Sequence, residues 1–98
     1  MRFAQSIDFR TDRIEELNRF FDEWIVRTEG ERIPHQAVLQ RDREDQNAYQ
    51  LMVEFPSHEV GMENSRRPQT GEFAAFLASI CEAPPTFRSL DVLRVERL

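Results

Sequence analysis

The sequence predicts an α+β fold: a four-stranded antiparallel sheet with two helices on one face, the second helix interrupted. Three observations predict it. Four short segments alternate apolar and polar residues with a period of two, while others repeat their apolar residues every three or four positions. The segments succeed one another as β-α-β-β-α-β, with no repeat, low-complexity tract or linker between them. The 98 residues, 40% hydrophobic and 32% charged, suit one domain with a modest core.

The first strand is RFAQSIDFR, residues 2–10, with Phe3, Ile7 and Phe9 on one face and Ala4, Ser6 and Asp8 on the other. Asp12 followed by Glu15 is a capping-box pattern and predicts a helix start with Asp12 at the N-cap. Ile14, Leu17, Phe20, Phe21, Trp24 and Ile25 then form one helical stripe, with Glu15, Glu16, Arg19, Asp22 and Glu23 outside it. Gly30 supplies the stop. HQAVLQR, residues 35–41, entered through Pro34, is the second strand, and the polar run from Asp42 to Asn47 is a hairpin loop.

AYQLMVEF, residues 48–55, is the third strand, presenting Tyr49, Leu51, Val53 and Phe55 on one face and Gln50, Met52 and Glu54 on the other. Pro56 ends it. Ser57 caps a short helix reaching Asn64, in which Val60 and Met62 are the apolar contacts. Thr70 is the expected cap of the next segment, whose stripe is Phe73, Phe76, Leu77, Ile80 and Cys81. The intervening Asn-Ser-Arg-Arg-Pro is a bend that lets a short and a long helix follow one curved sheet. Ala83-Pro84-Pro85 terminates the second helix, and LDVLRVERL, residues 90–98, is the expected last strand. This order is the split βαβ, ferredoxin-like arrangement.

Charge narrows the partners. A net charge of −5 argues against nucleic acid and anionic membrane surfaces, which require a basic stripe. No apolar run is long enough for a membrane span, and no signal peptide is evident. The single cysteine, Cys81, excludes an internal disulfide framework and fits a reducing cytoplasm. All 13 basic residues are arginine, a bias that a GC-rich genome explains as simply as anion recognition does.

The helices cover one sheet face. The other is expected to present Ala4, Ser6, Asp8, Val38, Gln40, Gln50, Met52, Glu54, Val92 and Arg94, a mixed set that suits either water or a semi-polar chamber closed by a second copy. YQLMVEFPSHEVGMENSRRPQTGEFAAFLASI and PPTFRSLDVLRVERL, within this element order, resemble the dimeric α+β barrel superfamily, particularly its antibiotic-biosynthesis-monooxygenase-like members. The resemblance implies a homodimer with a pocket between sheet and helices or inside the shared barrel. It spans cofactor-independent oxygenases, haem-degrading enzymes, isomerases and stress-induced proteins, so it leaves enzyme status open. No haem-binding pattern carries over: Trp24 falls in a core stripe and no motif surrounds His58. Neither a cofactor nor a metal is expected.

The candidate polar residues each have two readings. His35 suits a general base or an ordinary strand-end histidine. Asp8 and Glu54, if close together on the uncovered face, would share a proton; paired with Arg94 they are structural. Arg66 and Arg67 would clamp an anionic ligand at a pocket mouth or lie in a solvated loop. Asn64 is a ligand contact or a helix-ending residue, and His58 a ligand contact or a surface histidine. Two functions follow: a homodimer that binds a small organic, aromatic or anionic ligand and oxidises or isomerises it without a cofactor, or a non-catalytic dimeric interaction protein whose sheet face is filled by the partner.

Overall fold

A computed structural model describes residues 1–33 and 35–98. The elements are β1 (Phe3–Arg10), α1 (Ile14–Arg27), β2 (Gln36–Arg41), β3 (Ala48–Phe55), α2 (His58–Ser65), α3 (Pro68–Ile80) and β4 (Thr86–Asp91). The four strands form one antiparallel sheet in the order β2-β3-β1-β4, the ferredoxin-like arrangement. The role expected of Pro34, as entry to the second strand, lies outside the described residues.

The core lies on one side of this sheet. β1 contributes Phe3, Ile7 and Phe9, and β3 contributes Tyr49, Leu51, Val53 and Phe55, all buried; Leu17 of α1 and Leu77 and Ile80 of α3 cover them. Alternation set the parity: in the β1–β3 register Ile7 faces Leu51 and Phe9 faces Tyr49, so apolar side chains from neighbouring strands stand side by side. Gly61 brings α2 down onto β1. A Cβ there would lie 2.6 Å from Cδ2 and 2.7 Å from Cε2 of Phe3, so any larger residue would force the ring or the helix to move.

Three boundaries differ from expectation. α1 has Arg13, not Asp12, at its N-cap and no side-chain cap. The buried Thr11 takes over the role: its Oγ1 accepts from the Arg13 amide at 3.0 Å and donates to the Ile80 carbonyl at 2.6 Å. A hydroxyl one residue upstream, held by a distant carbonyl, thus outcompetes the carboxylate for the first free amide. α3 begins at Pro68 rather than at Thr70, because proline suits the first helical position, where its missing amide is no loss. Ser57 does cap α2, accepting from the Val60 amide at 3.2 Å.

The last strand is Thr86–Asp91, not residues 90–98. Its pairing runs from Thr86 opposite Asp8 to Asp91 opposite Phe3, where β1 offers no further residue, and one bond from the Val92 amide to the Arg2 carbonyl extends it. The uncovered face therefore carries Thr86, Arg88 and Leu90 in place of Val92 and Arg94. Across it, Gln40 donates to Gln50 at 2.9 Å, Gln50 to Asp8 at 3.1 Å, and Arg88 to Asp8 at 2.9 Å. A polar ladder thus spans all four strands.

Candidate functional site

A cavity of about 80 Å³ lies between the sheet and the helices. Its floor is Gln5 and Ile7 of β1, Ala37 of β2, and Leu51 and Val53 of β3. Its roof is Phe21 and Trp24 of α1 with Phe73 of α3, and three further polar residues, His35, Asn64 and Thr70, line it. The break between α2 and α3 has a structural consequence here. It turns the chain so that Asn64, near the end of α2, and Thr70, in the first turn of α3, both border the same space.

The roof is rigid. Phe21 and Phe73 meet edge-on at 5.1 Å, and Trp24 meets Phe73 at 5.6 Å. The indole N–H of Trp24 donates to the Gln69 carbonyl at 3.0 Å, which ties α1 to the start of α3. Arg32 lies over the Trp24 ring at 5.9 Å and donates to the Ile25 carbonyl and to Thr28 Oγ1, closing the outer side of the indole.

His35 is held by two contacts. Its ring stacks on Phe55 with centroids 4.7 Å apart, and Nδ1 bonds to the Ile33 carbonyl. A carbonyl only accepts, so Nδ1 carries the proton, and in the neutral ring Nε2 keeps its lone pair as an acceptor. This is the arrangement in which an imidazole can take a proton from a bound hydroxyl group.

The remaining candidates lie elsewhere. His58 is exposed and meets the ring of Phe3 edge-on at 5.0 Å. Arg66 is exposed, while Arg67 donates to the Glu31 carbonyl and pairs with Glu63 at 3.5 Å; neither lines the cavity. Asp8 and Glu54 are on the opposite, uncovered face and are not brought together. Glu54 sits opposite Ala4, four positions along β1 from Asp8, a separation of roughly 13 Å at the usual strand rise. Their cations are Arg88 for Asp8 at 2.9 Å and Arg2 for Glu54 at 2.7 Å; Arg94, the expected partner, binds Glu96 instead.

Gln5, Thr70 and the aromatic roof were not among the expected site residues. Gln5 carried a signal: it is the polar residue at the core-facing parity of a strand whose neighbours there are Phe3, Ile7 and Phe9. A wider groove of about 680 Å³ opens at one end of the uncovered face beside Asp8, Arg10, Gln50 and Thr86. Five charged residues line it, Asp8, Arg10, Arg41, Asp42 and Glu82, of which Arg10 pairs with Asp45 and Asp8 with Arg88; the smaller cavity, with a few polar groups on an apolar lining, is the better candidate. Among the described residues no cluster of three His, Cys, Asp or Glu side chains is placed to hold a metal ion, and no helix is long and apolar enough to cross a membrane.

Comparison with solved structures places this architecture. Rv0793 from Mycobacterium tuberculosis superposes with a TM-score of 0.75 at 16% identity, covering 99% of this chain and all of that one. A variant of SnoaB, a cofactor-independent oxygenase from Streptomyces nogalater, gives a TM-score of 0.78 at 12% identity, covering 96% of this chain and 95% of its own. A Caulobacter crescentus protein provisionally described as an antibiotic biosynthesis monooxygenase gives 0.76 at 10% identity, covering 95% and 91%. The fold is that of the antibiotic-biosynthesis-monooxygenase-like proteins. No family model matches the sequence, and no curated protein does so by sequence.

Proposed function

We propose that this chain binds a small aromatic compound bearing a hydroxyl group in the cavity between sheet and helices, and oxidises it without a bound cofactor. The observation that carries this reading is the convergence of His35, Asn64, Gln5 and Thr70 on a space roofed by Phe21, Trp24 and Phe73. Likeness of fold to a cofactor-independent oxygenase supports the reaction class. Without a cofactor the electrons that reduce dioxygen come from the substrate. The protein's part is then to orient a phenol or enol against the aromatic roof and remove its proton, which falls to Nε2 of His35, while Asn64 holds a substrate oxygen. As built, the cavity is smaller than the 150 Å³ or so that accommodates a benzene ring, so the helical roof must lift on binding. The α2–α3 break is where it would hinge.

The same reading makes the protein a homodimer in the cytoplasm, with the uncovered sheet face against a second copy. Val38 and Leu90 on that face are 39% and 41% exposed. A second reading, a non-catalytic dimer, is favoured by the small cavity volume alone.

A panel of phenols and hydroxyquinones, read by thermal shift and oxygen uptake, tests the proposal. A bound phenol should raise the melting temperature. Asn64→Leu should weaken binding about tenfold, and His35→Gln should lower oxygen uptake roughly 10²- to 10⁴-fold with little effect on binding. If no compound shifts the melting curve, the non-catalytic reading takes its place.

A further inference from the structure

We propose, building on the reading of the cavity as a phenol site, that Gln5 is its specificity-determining residue. It selects a single-ring phenol that carries an uncharged carbonyl group opposite the hydroxyl taken by His35, and the site rejects ligands ionised at that end.

The interior otherwise satisfies its polar groups. Thr11 donates to the Ile80 carbonyl, Thr28 to the Trp24 carbonyl and the Trp24 indole to the Gln69 carbonyl. Among the described residues no fully buried side-chain nitrogen or oxygen lacks a partner. The cavity lining is different. The side chains of Gln5, Asn64 and Thr70, each half-buried, hydrogen-bond to no described residue, and neither does Nε2 of His35. Gln5 is the clearest case. It lies on β1, a strand paired on both sides, at the parity of Phe3, Ile7 and Phe9, all buried. An amide there gives up part of its water without gaining a bond from the chain, so the occupant of the cavity must supply the bond.

Charge sets the first condition on that occupant. Among the described residues lining the cavity there is no Asp, Glu, Arg or Lys. Arg32 and Arg67, on the flanking segments, are already bound to the backbone carbonyls of Ile25 and Glu31. An ionised carboxylate or ammonium group would lose its water and meet no countercharge, so the lining favours neutral ligands.

Sheet register sets the second. Gln5 pairs with Val53 and Val53 with Ala37, and His35 lies two residues before Ala37. At about 4.8 Å per strand and 3.4 Å per residue, the α-carbons of Gln5 and His35 are roughly 12 Å apart. Side chains stand roughly perpendicular to a sheet, so their tips keep about that spacing. Two hydrogen bonds of about 2.8 Å leave roughly 6 Å between them, the span of one ring with oxygen-bearing groups on opposite carbons. Gln5 on β1 and His35, stacked on Phe55 of β3, are both held by the sheet, so the spacing persists when the helical roof lifts.

A carbonyl suits the Gln5 end better than a second hydroxyl. When Nε2 of His35 takes the proton of the bound hydroxyl, the negative charge left on that oxygen spreads through the ring to a conjugated carbonyl oxygen opposite. The Gln5 amide then donates an N–H to the atom where charge arrives.

Three ligands of nearly one shape test this: 4-hydroxyacetophenone, with the carbonyl; 4-ethylphenol, without it; and 4-hydroxybenzoate, ionised at neutral pH. Isothermal titration at pH 7 gives their dissociation constants for the wild type and for Gln5→Met, which keeps the length of the side chain and removes its hydrogen bonds. The wild type should bind the ketone at least about tenfold more tightly than 4-ethylphenol, and the carboxylate roughly a hundredfold more weakly than the ketone. Gln5→Met should abolish the preference by weakening the ketone alone. If no phenol binds the wild type, the phenol site and the role of Gln5 fall together. If phenols bind but the ketone has no advantage, the carboxylate binds as well as the ketone, or Gln5→Met weakens both phenols equally, the phenol site stands and the role of Gln5 falls. Where circular dichroism shows Gln5→Met unfolded, Gln5→Thr, β-branched and too short to reach the ligand, replaces it with the same expected outcome.

Discussion

Gly61 shows how one residue sets the spacing between two layers. Its missing side chain lets α2 rest on the Phe3 ring, and Phe55 packs beside the same spot at 3.4 Å from the position a Cβ would take. Gly61→Ala forces the ring or the helix to move in a packed core, which costs about 1–3 kcal/mol. Urea denaturation at pH 7 measures it; an unchanged midpoint would mean that the Phe3 ring swings away freely. His35 and Asn64 were visible in the sequence as polar residues worth testing, but their meeting was not, because they approach the cavity from either side of the β2–β3 hairpin. Phe21, Trp24 and Phe73 read as core stripe, which is what they are on all sides except the one facing the cavity. Periodicity reports which way a side chain points and is silent about whether the space in front of it is filled.

Elements bound by local alternation were legible, and those bound by a neighbour were not. β1 and β3 fall where their period-two patterns put them, with the expected residues on each face. β4 does not. TFRSLD has no apolar alternation and all six residues are exposed, whereas LDVLRVERL alternates well but has nothing beside most of its length. A strand exists only where another pairs with it, and the register with β1 ends at Asp91. The β2–β3 hairpin provides an element-scale prediction. The Arg10 side chain and then the Asn47 amide hydrogen-bond to the Asp45 carboxylate and hold its pKa below the ordinary carboxylate value. A carboxyl depressed in the folded state contributes stability above its unfolded pKa, and that contribution is lost as pH falls through the folded value. Asp45→Asn should therefore lower the melting temperature slightly at pH 7, as expected of an exposed pair, and the gap between variant and wild type should shrink below about pH 4. Melting curves across that range check it; a gap that widens in acid would assign the effect to turn geometry instead.

At the scale of the molecule, the asymmetry of the sheet decides how the protein can assemble. One face is packed under helices. The other carries the ladder Gln40–Gln50–Asp8–Arg88, flanked by Val38, Met52, Ala4 and Leu90, with Ser6 almost fully buried beneath its neighbours. Sequence parity foretold most of this face, missing only the residues of β4. Val38 and Leu90 lie on the two edge strands and make a sharp probe. In a single subunit each is well exposed, so Val38→Asp with Leu90→Asp should alter subunit stability by no more than about 0.5 kcal/mol per site. In a face-to-face dimer the same carboxylates are taken out of water beside a face that already holds Asp8 and Glu54, and an uncompensated buried charge costs about 3–5 kcal/mol. The double variant should therefore fold with an unchanged melting curve at high dilution, yet dissociate at least a hundredfold more readily in sedimentation between about 1 and 100 μM. Its melting temperature should also lose the concentration dependence that a dimer imposes on the wild type. If the variant associates as tightly as the wild type, the copies meet through some other surface, and the ladder faces water.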